Sequence, residues 1–239
     1  MTTALRALLL SLFLVAGAAA AQSPEAEIRK ILQQKFPQDG VESVTRTQMN
    51  GIYEVYADGK IFYTDDKGTF IIAGRMFDTR NWTDLTEERM RKLTAIKFDD
   101  IPLNLAFKRV RGNGSRKIAY FADPNCGYCK RFEKELVQLN DVTVYHFLYP
   151  ILSDDSMVKS KSVWCSPDKL KAWDALMLNN TAPVAAPTCD TPIDKILDFG
   201  RRQRITGTPT VFFADGSRVP GAMSLAQLQK QLAQVSGGK

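Results

Sequence analysis

The sequence has one histidine, His146, among 239 residues, and only four cysteines, Cys126, Cys129, Cys165 and Cys189. Cys126 and Cys129 could furnish half of a zinc site, but the other two cysteines are far apart in the chain and His146 falls in an apolar, strand-like run. No metal is expected. Past the N-terminus no apolar stretch is long enough to cross a bilayer as a helix, which argues against stable membrane insertion. No internal repeat is visible, so a solenoid or propeller is excluded. Charge of one sign is nowhere concentrated: 32 basic and 26 acidic residues give a formal net charge of +6. The two signs alternate, as in Glu87, Glu88, Arg89, Arg91 and Lys92 or in Lys130, Arg131, Glu133, Lys134 and Glu135, a pattern of solvated helix faces and not of a nucleic-acid stripe. No nucleic-acid partner is expected.

What is present begins with an address. Arg6 precedes the apolar stretch 7–16, and Ala19-Ala20-Ala21 precedes Gln22. A charged start, a short apolar region and an A-x-A site predict a signal peptide at 1–21 cleaved after Ala21, with an uncleaved anchor as the alternative. The C-terminal residues 236–239 carry no ER-retention signal, and N-x-S/T triplets at Asn81, Asn113 and Asn179 arise readily by chance. The periplasm of a bacterium fits best. Four cysteines in an exported chain permit two bridges, and the remaining length suffices for one large domain or two modest ones.

Periodicity organises the rest. Residues 25–36 place Ile28, Ile31, Leu32 and Phe36 on one helical face, ended by Pro37 and Gly40. Strand-like runs at 52–56 and 61–63 flank Asp58-Gly59, a hairpin signal, and a turn at 66–68 leads to another run at 69–73. Asp84 with Glu87 predicts a capped connecting helix from Leu85. From residue 118 the order is strand (118–121), helix (126–139), strand (142–148), helical insertion, helix (193–203), strand (210–213), a hairpin turn at Asp215-Gly216 with a partner strand, and helix (225–235). This is the order of a thioredoxin-like domain.

Cys126-Gly127-Tyr128-Cys129 stands where the first strand gives way to a helix. Unpaired backbone N–H groups and the positive end of the helix dipole favour a thiolate there. Cys126 is therefore the expected nucleophile, and Cys129 the thiol that attacks Cys126 once it is joined to a substrate. A bridge this short would close almost no loop, so a purely structural disulfide would stabilise little. Pro209, in Gly207-Thr208-Pro209-Thr210, directly precedes an apolar strand, as suits a residue that cannot donate to a sheet ladder; a fixed turn there can require a cis bond.

Residues 121–129, Phe-Ala-Asp-Pro-Asn-Cys-Gly-Tyr-Cys, together with 207–210, resemble the bacterial periplasmic disulfide isomerases of the DsbC/DsbG type, of the thioredoxin superfamily. The resemblance extends through residues 62–68 and 74–78 and the connecting helix, hence over nearly the whole mature chain. It implies a mixed α+β and α/β architecture: an N-terminal dimerisation domain (22–80), a linker helix region (81–104) and a thioredoxin-like catalytic domain (105–239). It further implies a homodimer whose redox domains face each other across an apolar cleft, a cis Pro209 opposite Cys126, and Thr208 offering backbone groups to the substrate, with Gly127 and Tyr128 supporting the site. Its implied partners are unfolded or misoxidised exported proteins and a membrane thiol reductase of the DsbD type, with no cofactor. The basic pair Lys130-Arg131 after Cys129 departs from the family pattern; it either favours the thiolate or is merely solvated.

Cys165 and Cys189 are expected to bridge the helical insertion, a loop worth about 3 kcal/mol in the chain-entropy model; two free buried thiols are the alternative. His146 is expected in the core, and Asp123 as a strand-end acid, a proton-transfer role being the other option. Three functions remain open on sequence alone: an isomerase with chaperone-like binding, a thiol oxidase or dedicated reductase of narrow range, and a non-enzymatic holdase.

Overall fold

The computed structural model describes residues 23–38 and 40–237; the expected leader lies outside them. The chain packs as two units, one ending at Gly74 and the other starting at Arg75.

In the first unit, helix α1 (Pro24–Lys35) starts where the Ser23 hydroxyl accepts the Ala26 N–H at 3.3 Å, with Glu25 and Glu27 in its first turn. Ile28 and Leu32 are fully buried against Val41, Tyr53 and Val55. Phe36, expected on the same face, instead caps the helix end and is exposed. An antiparallel sheet follows, in the order β1 (Val41–Arg46), β2 (Ile52–Ala57), β3 (Lys60–Asp65) and β4 (Ile71–Ile72). The β2–β3 turn has both Asp58 and Gly59 at positive φ, 47° and 74°, as a two-residue hairpin requires. The strand expected at 69–73 is shorter because Asp65 Oδ1 accepts the N–H groups of Thr69 and Phe70, at 2.6 and 2.8 Å, and holds them in a turn. What remains is a two-residue edge strand, with Ile71 and Ile72 on it and Phe70 just before it all exposed.

The second unit opens with the short pair β5 (Phe77–Asp78) and β6 (Thr83–Asp84), then α2 (Leu85–Leu93). Asp84 caps α2 by accepting the Glu87 N–H at 2.8 Å, while the Glu87 carboxylate pairs with Arg75 and Arg91. After two single turns of 3-10 helix come β7 (Phe107–Arg111), β8 (Arg116–Ala122), α3 (Gly127–Leu136), β9 (Val142–Leu148), α4 (Asp154–Cys165), α5 (Lys169–Asn179), α6 (Ile193–Arg202), β10 (Thr210–Phe213), β11 (Arg218–Pro220) and α7 (Leu225–Gly237). The sheet order is β11-β10-β8-β9-β7, with β8 and β9 parallel and the other neighbours antiparallel. This is a thioredoxin-like sheet carrying a helical insertion between β9 and β10.

Central strand β8 is buried on both faces, as a strand covered by helices on each side must be. Ile118, Tyr120 and Ala122 pack with Phe132 and Leu136 of α3, Trp173 of α5 and Leu228 of α7, whereas Ala119 and Phe121 pack with Phe147, Phe199 and Phe212. Cys165, at the end of α4, is joined to Cys189 in the loop before α6. Strand β7 escapes sequence periodicity because its inward positions are Phe107 and Arg109. Arg109 is buried among charges: it pairs with Asp174 and, at 3.3 Å, with Glu133, whose other oxygen accepts from Trp173 Nε1 at 2.5 Å and lies 3.1 Å from His146 Nε2. His146, on β9, stacks on Phe107 with ring centroids 5.0 Å apart.

Glu133 is fully buried, yet its carboxyl is held below the usual range: burial opposes the charge, and His146, Arg109 and Trp173 together outweigh it. Removing the carboxylate alone leaves buried donors without an acceptor. Glu133→Ala is therefore expected to cost roughly 3–5 kcal/mol, measured as a lowered urea midpoint with unchanged slope; a cost below about 1 kcal/mol would show that the cluster holds nothing together.

Candidate active site

Strand β8 ends at Ala122, and the chain turns through Asp123-Pro124-Asn125 into α3. Buried Asp123 directs that turn: its Oδ1 accepts the Asn125 N–H and the Ser156 hydroxyl, both at 2.8 Å, and its Oδ2 accepts the N–H groups of Ile151 and Leu152, at 2.8 and 3.0 Å. All four lone-pair directions of the carboxylate are thus occupied. Asp123 is the strand-end acid expected, fastening the start of the site to the start of the insertion. Asn125 adds a second tie, donating to Ser153, Asp155 and Ser156 and accepting from Lys159.

Cys126 is the N-cap of α3, one position before the first helical residue, and its sulfur accepts the Cys129 N–H at 3.3 Å. Gly127 follows with open space around the position a Cβ would take. Tyr128, two residues after Cys126, is 61% exposed, with the Arg131 guanidinium 4.4 Å from its ring centre. Lys130 points elsewhere, donating to Asn180 at 2.7 Å. Cys129 is fully buried on the inward face of α3, near the Tyr120 hydroxyl, which donates to the Cys129 carbonyl at 3.3 Å. Neither thiol is in a disulfide.

From the far side of the fold, the loop before β10 brings in Thr208 and Pro209. The Thr208–Pro209 peptide is cis, and the Cys126 sulfur lies 3.2 Å from the Thr208 carbonyl. A neutral thiol donates to that carbonyl, and the nearby Thr208 side chain helps to lower the Cys126 pKa by favouring the charged form. The structure thus gathers Cys126, Gly127, Tyr128, Cys129, Thr208 and Pro209 at one place and keeps the Cys165–Cys189 bridge apart from the reactive pair, in the insertion.

The two thiols are electrostatically unlike. Cys126 is pulled down to about 6, chiefly by the hydrogen bond from the Cys129 thiol, against burial, with help from Thr208 and from the N–H groups of Cys129 and Tyr128. Cys129 is pushed far up, first by burial and then by the neighbouring Cys126. The Cys126 thiol is thereby favoured as a thiolate and the Cys129 thiol as the protonated form.

Residues 19–87 match the disulfide bond isomerase protein N-terminal domain family, and residues 103–236 a thioredoxin-like domain family. The chain is 41% identical over 215 residues to a probable thiol:disulfide interchange protein DsbC of Bordetella pertussis, a match spanning 90% of this chain and 76% of that protein. The chain belongs to the DsbC family. The Escherichia coli K12 thiol:disulfide interchange protein DsbC is 27% identical over 210 residues, 84% of each chain. A crystal structure of a disulfide interchange protein from Neisseria gonorrhoeae superposes with TM-score 0.54 at 39% identity, over 56% of this chain and 97% of that one. Thiol–disulfide interchange is accordingly the activity of this DsbC-type chain, as its resemblance implied.

Sequence reading overlooked Ser156, Asn125, Tyr149 and Arg218, all of which hold the site's loops. Their bonds are made to backbone or to residues far along the chain, so no local spacing marks them.

A lowered thiol has a definite pH signature. With the unfolded thiol near 8.5 and the folded one at about 6, the charged form stabilises the reduced protein fully above the unfolded value. That contribution is lost as pH falls through about 6. Alkylation of Cys126 by iodoacetamide should be half-maximal near pH 6 with Cys129 unreactive, and the reduced protein should gain stability over Cys126→Ser as pH rises from 6 to 9. Half-maximal alkylation near pH 8.5 would refute the lowered value.

Proposed function

We propose that this chain is a periplasmic, homodimeric disulfide isomerase whose chemistry runs through Cys126. The Cys126 thiolate attacks a non-native disulfide of an exported protein; one S–S bond breaks, a mixed disulfide forms, and the substrate's other sulfur leaves as a thiolate. That thiolate, or another substrate thiol, then displaces Cys126, and the substrate is reshuffled with no net transfer of electrons. Alternatively Cys129 loses its proton and displaces the substrate sulfur, leaving Cys126 joined to Cys129 and the substrate reduced by two electrons. A membrane thiol reductase of the DsbD type then supplies two further electrons, which reduce the Cys126–Cys129 disulfide back to two thiols.

The observation that carries the reading is the contrast between the two thiols: an N-cap sulfur at about 6 and a buried partner pushed far up. A low thiol pKa raises the thiolate fraction and makes Cys126 a good leaving group. A Cys129 that stays protonated gives the substrate time to rearrange before reductive escape. Tyr128, Ile151 and Leu152, exposed near Cys126, supply apolar surface for unfolded chains. Refolding of a scrambled multi-disulfide protein tests the scheme: Cys126→Ser should lose activity entirely, and Cys129→Ser should retain part of it while accumulating mixed disulfides. Full activity in Cys126→Ser would instead support a holdase, and oxidation of reduced protein without reshuffling would support a thiol oxidase.

In this reading residues 22–80 form the dimerisation module, 81–104 the linker and 105–239 the catalytic domain. Dimerisation is supported by the exposed edge strand β4, where unpaired backbone groups and the apolar side chains of Phe70, Ile71 and Ile72 invite a second strand. The mature protein should sediment as a dimer at micromolar concentration, and Ile71→Lys with Ile72→Lys should convert it to monomer. A monomeric parent protein would remove the basis for a two-site cleft.

A further inference from the structure

The loop that presents Thr208 to Cys126 has no strand or helix of its own between α6 and β10, yet it is fixed by side chains from elsewhere in the domain. Helix α6 ends in a tight reversal: Ile205 N–H returns to the Gly200 carbonyl at 2.8 Å and Arg204 N–H to the Arg201 carbonyl at 3.0 Å, with Arg204 itself at φ 50°. This is the Schellman arrangement with an arginine where glycine is usual, a conformation that persists only if the surroundings enforce it. The enforcing groups are visible. Arg218 of β11, nearly buried with its guanidinium 5.7 Å from the Phe212 ring centre, donates to the carbonyls of Gln203 and Arg204 at 2.8 and 2.9 Å. Tyr149, just after β9 and 2% exposed, donates its hydroxyl to the Ile205 carbonyl at 2.9 Å. The Tyr149 ring fits only because residue 200 is glycine: a Cβ there would stand 2.2 Å from the ring. Further along, the Thr210 hydroxyl closes the loop onto the Gly207 carbonyl at 2.8 Å.

Three consecutive carbonyls, at 203, 204 and 205, are therefore held by two buried side chains, and the next turn of chain carries the Thr208 carbonyl that faces the nucleophile. We propose that Tyr149 and Arg218 are positioning residues for disulfide exchange, which set the height and orientation of the Thr208–Pro209 backbone against Cys126 and so govern how an extended substrate segment is aligned for attack. The inference rests on the reading of Cys126 as the attacking thiol. A small disulfide needs only the sulfur, whereas a peptide must also be aligned by the loop, so the two substrates separate positioning from intrinsic reactivity.

The test is single-turnover reaction of the full-length reduced protein with two disulfides: 5,5′-dithiobis(2-nitrobenzoate), and a cysteine peptide in mixed disulfide with the same thiol. Tyr149→Phe keeps the ring and removes only the hydroxyl; Arg218→Lys keeps the charge but offers a single nitrogen where two guanidinium nitrogens each meet a carbonyl. Each is expected to raise the peptide concentration needed for half-maximal rate about tenfold, the scale of one buried hydrogen bond, with the small-disulfide rate changed less than about twofold. Equal slowing of both reactions, or no change in either, overturns the positioning role. A Cys126→Ser protein that still reacts overturns the nucleophile assignment and the inference with it; an inert Cys126→Ser protein beside an unaltered Tyr149→Phe protein overturns the positioning alone.

Discussion

The site depends on one buried carboxylate. Asp123 stands three residues before Cys126, where the central strand has ended and the helix has not begun, and its two oxygens take hydrogen bonds from Asn125, Ile151, Leu152 and Ser156. A buried acid is tolerable only when its acceptor capacity is filled, and here filling it stitches two distant segments into one surface. Cys126, the exposed apolar residues Ile151 and Leu152, and the cap of α4 are thereby set in a fixed relation. The Cys126 sulfur is presented by a surface whose shape the fold itself decides.

A second buried charge group lies deeper and does a different job. Glu133 is one turn beyond Cys129 on α3, and through Arg109, His146 and Trp173 it reaches the edge strand β7, the interior strand β9 and the insertion helix α5. Apolar packing alone would join these elements without specifying their register. The charged contacts are directional, so they fix how α3 rotates about its axis and hence which face of the helix, with Cys129 on it, is turned inward.

Much of this was legible in the sequence, for identifiable reasons. The helices at 24–35 and 85–93, the Asp58-Gly59 hairpin and the strand–helix–strand core announce themselves through local periodicity and turn chemistry. The reactive pair announces itself through spacing. What stayed hidden is what local patterns do not encode. Strand β7 carries an inward arginine whose partners lie 24 and 65 residues away; β1 is an edge strand with half-exposed residues and little alternation; β4 is curtailed by a side chain of β3. The side chains that hold the Thr208 loop sit at positions where a tyrosine after a strand or an arginine in a short hairpin would ordinarily attract no notice. Capping and periodicity are short-range physics, whereas loop fixation is not.

The Cys165–Cys189 bridge sets a condition on the protein's own history. Four cysteines can pair in three ways, and this molecule closes one pair while leaving Cys126 and Cys129 open. Closing the first pair required an acceptor for two electrons; in the proposed function, re-opening the second after it has reduced a substrate requires a donor of two. In the proposed function the same polypeptide meets an oxidant during maturation and a reductant during service, and must not confuse them. Its fold separates the appointments by placement: Cys189 is exposed on a loop, whereas Cys129 is buried on the inward face of α3.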